Sequence, residues 1–276
     1  MIQYNRYKGD RMRKKSNTVL ITIIIVFVLI IIGTFVFIVL KTINEKSSNK
    51  NYNNIASSYA PDISQSQNAS EITAPSIYVN KQENPIDFKA LSDQNSDIYS
   101  WIYVPGTNVN YPVCQSNADD NFYLDHDVYK NYSFAGAIYS QYCNMTDYSD
   151  RVTVLYGHNM ADGSMFSTLH RFSDYDFFSS HKYMYVYTKD RKLTYEIISA
   201  FEYDDRHIMN SFDFDDDKVF NDYLEMIVNP RSLYKNVRDN INLTVNDKIL
   251  TLSTCLNSGE GRYLVQGVLV KDEQTK

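Results

Sequence analysis

Residues 19–40, VLITIIIVFVLIIIGTFVFIVL, contain no charged side chain, and no fold of an ordinary soluble domain leaves such a run in water. As a helix rising about 1.5 Å per residue it would extend about 33 Å, enough for the hydrocarbon core of a bilayer. Arg6, Lys8, Arg11, Arg13, Lys14 and Lys15 precede it, opposed only by Asp10. The positive-inside rule therefore predicts a cytoplasmic basic tail over 1–18, a single transmembrane helix over 19–40, and everything after it outside the cell. A cleaved signal peptide is the competing reading. Against it, the run is longer than a usual h-region, and Lys41 follows with no A-x-A-like site.

Beyond the span lie 21 basic and 32 acidic residues, a net charge of −11, which argues against nucleic acid as a partner. From 44 to 70, 15 of 27 residues are Asn, Ser or Gln. That composition predicts a polar flexible tether over 41–85. The remaining 86–276 is long enough for one folded domain.

Within it, short runs rich in Val, Ile, Tyr and Thr are separated by Gly, Asn and Asp turns: SWIYVPGTNVNYPV (100–113), GAIYS (136–140), RVTVLYGH (151–158), KYMYVYT (182–188), KLTYEIISAFEY (192–203), KILTLST (248–254) and RYLVQGVLV (262–270). This pattern predicts a mostly β structure, a barrel or sandwich. Helices are expected in PIDFKALSDQNSDIYS, in GSMFSTLHRF and over about 213–229. In the last, Val219, Phe220, Tyr223, Leu224 and Ile227 share one face, Asp215 to Asp217 sit at the positive end of the dipole, and Pro230 marks the stop. Asp213, Asp215 and Asp217 have calcium-loop spacing, but Lys218 stands where that loop needs Gly and Leu224 where it needs Glu. A helix start is the better reading.

Cys114, Cys143 and Cys255 are too few, and odd in number, for a disulfide framework. Cys255 closes the alternating run ILTLST, and a side chain at a strand end opens into a cleft rather than a sealed core. A thiol needs a neighbouring base or cation to act as a nucleophile. Of the five histidines only His158 directly follows a strongly apolar strand, VTVLY, with Gly157 leaving room for a turn. His126 and His181 lie among polar loop residues, and His170 lies on the short helix. Arg262 opens the strand after Cys255 across LNSGEG, so a hairpin would return its guanidinium beside the sulfur. There it could stabilise a thiolate or donate to an oxyanion.

TLSTC (251–255), YGHNM (156–160) and GRYLVQG (261–267), behind an anchor and a polar tether, resemble the sortases, cysteine transpeptidases of Gram-positive surfaces. WIYVPGTNVNYPV, DNFYLDHD (120–127), GHNMADGSMFSTLHRF (157–172) and the helix inserted between two late strands resemble class B in particular. The resemblance implies an eight-stranded β-barrel with N-terminal helices and an extra helix between strands 6 and 7. It implies Cys255 as nucleophile, His158 as general acid and base, and Arg262 as oxyanion or substrate stabiliser. Ser253 matches a substrate-contacting position, and Tyr223 and Leu224 on the inserted helix are candidates to line the groove. Leu256 and Asn257 stand where some class B members carry an acid, so no acidic third member is assigned. The implied partners are surface proteins bearing an NPxTN-like or PxTG-like sorting signal, and a peptidoglycan amine. No cofactor or metal is expected, and no HExxH, P-loop or GxGxxG pattern is present. A peptidase releasing its product to water and a non-catalytic binding domain are the rival readings.

Overall fold

The computed structural model describes residues 2–61, 63 and 83–276. A helix, α1, is continuous over Ile2–Tyr59, and the chain divides into two units, Met1–Lys46 and Ser47–Lys276. In the first unit Val19–Leu40 is helical and its apolar side chains are exposed. The mean hydropathy of its most apolar window is 3.5, so this helix is long and apolar enough to cross a membrane. Thr34, inside the run, donates its hydroxyl to the Ile31 carbonyl at 2.8 Å, so that hydroxyl needs no water partner.

Among the described residues the second unit holds nine strands: β1 (Ile98–Tyr103), β2 (Asn110–Cys114), β3 (Ile138–Tyr139), β4 (Val152–Tyr156), β5 (Tyr183–Tyr187), β6 (Arg191–Tyr203), β7 (Lys235–Val237), β8 (Ile249–Cys255) and β9 (Arg262–Gln274). They form one sheet in the order β5-β1-β2-β3-β4-β8-β9-β6-β7. Pairing of β5 with β6 closes eight of them into a barrel, leaving the short β7 on the outside of β6. The expected eight-stranded barrel with N-terminal helices is the fold found. Four further helices are α2 (Phe88–Gln94), α3 (Tyr175–Ser180), α4 (Ile208–Ser211) and α5 (Asp217–Val228), with a 3-10 helix over Ser167–Ser173.

Side chains along β8 alternate between two cores. Leu250 and Leu252 enter the barrel interior with Trp101, Ile102, Val113 and Val265. Ile249 faces outward into a second cluster with Phe220, Tyr223, Leu224 and Ile227 of α5. The helix starts where the acidic residues predict, with the Asp216 carboxylate accepting from the amides of Lys218 and Val219. Each of its four buried apolar side chains contributes about 1.5–3 kcal/mol by leaving water. The inserted helix is therefore a lid on the outer face of the barrel.

The tether expected over 41–85 needs correction at its start. Residues up to Tyr59 are helical, and Tyr52, Ile55, Ala60 and Ile63 are buried in the barrel-side core. Tyr52 donates its hydroxyl to the Gly136 carbonyl at 2.7 Å and meets Tyr111 edge-on at 5.4 Å. The Asn and Ser residues between form the other faces of this amphipathic turn. The part of the tether over 64–82 lies outside the described residues. Tyr52→Ala should cost about 3–5 kcal/mol and lower the thermal midpoint by several degrees, where a tether residue would show no change. Thermal unfolding of the detergent-solubilised full chain measures this.

Candidate active site

Backbone register determines which residues meet. β4 and β8 are parallel, with Val152 beside Ile249, Val154 beside Thr251 and Tyr156 beside Ser253. β8 and β9 are antiparallel, with Ile249 opposite Val268, Thr251 opposite Gln266, Ser253 opposite Leu264 and Cys255 opposite Arg262. Because side chains two apart share a face, the outward row of β8 runs Ile249, Thr251, Ser253, Cys255. The β4 row runs Val152, Val154, Tyr156, and two residues further on comes His158. α5 covers the lower end of these rows. At the upper end His158, Cys255 and Arg262 line one cleft of about 210 Å³, together with Ser253, Tyr139 and Tyr156.

Cys255 and Arg262 are a directly opposed pair, for which β-carbons are separated by about 4.5–5.5 Å. One edge of the guanidinium is held. Nη1 of Arg262 donates to the Asp205 carboxylate at 3.2 Å and to the Gly261 carbonyl at 3.0 Å. Asp205 also accepts from the Gly261 amide at 2.7 Å, so one carboxylate anchors both the hairpin and the arginine. The pair is solvent-exposed and worth little as an ion pair; its effect is to aim the side chain. Among the described residues Nε and Nη2 have no partner and can meet a carbonyl in the cleft.

His158 follows Gly157, where an added Cβ would lie 2.5 Å from Ile138 and 2.8 Å from the Phe166 ring. A larger residue would have to push both side chains aside, and the Gly157 amide is bonded to the Ser253 carbonyl at 3.2 Å. The imidazole stacks on Phe134 at 5.9 Å, and its Nε2 lies 2.8 Å from the Leu124 carbonyl. A carbonyl only accepts, so Nε2 carries the hydrogen and Nδ1 is the basic nitrogen. Burial raises the Tyr139 hydroxyl to about 12 and pushes Tyr156 up further, so both cleft phenols stay protonated at neutral pH.

The groove positions expected for Tyr223 and Leu224 are not where those residues lie. Both are buried under α5, and the Tyr223 hydroxyl is 3.1 Å from the Thr251 hydroxyl. The helix has one apolar face and spends it on the barrel. Ser253 does line the cleft, although nearly buried. Sequence reasoning missed Asp205, Arg206 and His207 on the loop after β6, all in the cleft wall. It also missed Asn159 and His170, whose side-chain nitrogens lie 3.1 and 3.0 Å from the Cys255 carbonyl. His126 and His181, which lie among polar loop residues in the sequence, are stacked on Phe122 and Phe177 at 4.2 and 3.9 Å. Cys114 is sealed in the core, and burial pushes its thiol well above the ordinary range.

The Sortase domain family matches residues 102–270. Sortase B of Listeria monocytogenes is 33% identical over 189 residues, covering 67% of this chain and 74% of that protein. The X-ray structure of Clostridium perfringens sortase B superposes with a TM-score of 0.60 at 34% identity, covering 66% of this chain and 99% of that one. A Staphylococcus aureus sortase B–substrate complex gives a TM-score of 0.67 at 25% identity, covering 83% and 99%. The chain belongs to the sortase family, and within it to class B. Its activity is that family's cell-wall transpeptidation, which joins sorting-signal proteins to peptidoglycan amines.

Gly136 (φ +59°) links the cleft to the N-terminal helix. An added Cβ would lie 2.5 Å from the carbonyl oxygens of both Tyr123 and Leu124. Gly136→Ala should therefore destabilise the domain by roughly 2–4 kcal/mol and also slow transpeptidation, since the Leu124 oxygen on His158 must move. Unfolding and turnover measured on one preparation check both halves.

Proposed function

We propose that the chain is a membrane-anchored cysteine transpeptidase that cleaves the sorting signal of exported proteins after Thr, through a thioester on Cys255. The observation that carries this reading is the ending of three strand rows in Cys255, His158 and Arg262 on one cleft. Nδ1 of His158 takes the thiol proton, and the thiolate attacks the carbonyl carbon of Thr itself. The oxyanion of the tetrahedral intermediate is met by the unpaired edge of Arg262. The intermediate collapses as Nδ1–H protonates the departing amine, leaving the acyl group on sulfur. A peptidoglycan amine then attacks the thioester, gives its surplus proton to Nδ1 and releases the thiolate. Ser253, beside the nucleophile on the same row, is the proposed substrate contact.

The apolar helix Val19–Leu40 is the proposed anchor, with the basic tail in the cytoplasm and the barrel outside. Anchoring suits an enzyme whose substrates cross the same bilayer.

Cys255→Ala should abolish cleavage of NPxTN and PxTG peptides and capture of the thioester by hydroxylamine. Retention of the native rate would sink the assignment. Arg262→Lys should lose most turnover, because one ammonium cannot both hold Asp205 and present the free guanidinium edge. Adding an aminated wall fragment should convert the hydrolysed product into a ligated one; a peptidase would give hydrolysis alone.

A further inference from the structure

A second histidine sits behind the nucleophile rather than in front of it. His170, in the last turn of the 3-10 helix Ser167–Ser173, places Nε2 3.0 Å from the backbone carbonyl oxygen of Cys255. Nδ2 of Asn159 approaches the same oxygen at 3.1 Å. These two nitrogens are 3.3 Å apart, but the carbonyl can only accept, so both are donors and they fill its two lone pairs. His170 is thus held as its Nε2–H form.

This carbonyl lies where the strand ladder gives out. β8 ends at Cys255, and the next amide, that of Leu256, reaches the Gly261 carbonyl only at 3.4 Å. The peptide plane after the nucleophile is therefore weakly held by the hairpin and firmly held by side chains. The same two residues touch the neighbours of the other cleft groups. Asn159 directly follows His158, and its amide also donates to Asn257 Oδ1 at 2.8 Å. The His170 ring stacks on Tyr263, the residue after Arg262, at 4.6 Å and 29°. One imidazole and one amide join the segments that carry all three groups.

We infer that His170, with Asn159, is a positioning pair that fixes the backbone at Cys255 and so aims its thiol between His158 and Arg262. The inference rests on the proposed role of Cys255. Such a pair acts on the reacting geometry and not on binding. Displacement of a nucleophile by a fraction of an ångström costs rate, so the effect belongs in kcat.

The test compares His170→Phe, which keeps a ring on Tyr263 but has no donor, with His170→Gln, which keeps an N–H donor but has no ring. Both are made in the full chain in detergent, with the NPxTN or PxTG peptide that the wild type cleaves faster. His170→Phe should lower kcat by about tenfold with KM within about twofold, and should slow methanethiosulfonate labelling of Cys255. His170→Gln should recover kcat to within about threefold of wild type. Asn159→Ala, which leaves the ring stack untouched, should lower kcat in the same way and carries the test if His170→Phe unfolds. Wild-type kcat in His170→Phe overturns the inference, as does His170→Gln being as slow as His170→Phe, which would make the ring's packing the only role. Cys255→Ala is measured alongside. Activity surviving there defeats the nucleophile reading itself, whereas an inactive Cys255→Ala with a normal His170→Phe defeats the positioning pair alone.

Discussion

The register of β4, β8 and β9 is the constraint from which the rest follows. A parallel pair and an antiparallel pair share β8, and their hydrogen bonds bring three outward rows into line. Since side chains alternate with a period of two, a slip of one residue in β8 would turn Cys255 into the barrel interior and Thr254 into the cleft. The packing of Ile249 under α5 and of Leu250 and Leu252 inside the barrel opposes that slip. The two cores thus fix the cleft geometry from below, and Tyr139 of one and Leu264 of the other form part of its wall.

What the register cannot do is hold the ends, because ladders fade at strand termini. Here loops supply the holding: the Leu124 carbonyl on His158, Asp205 on Arg262, and Asn159 with His170 on the Cys255 backbone. Each hydrogen bond is modest, about 1 kcal/mol net, but each removes a degree of freedom from one group. The Leu124 loop is in turn packed against Gly136, whose carbonyl accepts from Tyr52 on the N-terminal helix. Residues that composition assigns to a tether are part of the cleft's foundation.

Period-two alternation and turn residues made a mostly β domain legible, a barrel or sandwich, and the eight-stranded barrel came with the sortase resemblance; strand ends and a short hairpin, which are local signals, made Cys255, His158 and Arg262 candidates. α5 was legible as a helix from its i, i+3, i+4, i+7 face; the groove positions for Tyr223 and Leu224 came from the sortase resemblance, whereas their place in that apolar stripe marks packing. Tyr52, Ile55, Ala56 and Tyr59 show the same spacing, and the many Asn and Ser residues around them masked it. Asp205, Asn159 and His170 left no comparable trace. They act through tertiary proximity across loops, and neither spacing nor composition encodes that Asn159 will meet a residue 96 positions later.

That long separation also bears on timing. The parallel pairing of β4 with β8 joins residues far apart in sequence, such as Val152 and Ile249, and contacts of such range are slow to form. On the proposed mechanism Cys255 is therefore an ordinary cysteine until that pairing brings His158 to its cleft. The reactivity proposed for it would come only with closure of the barrel, so a misfolded copy would carry the cysteine without its chemistry.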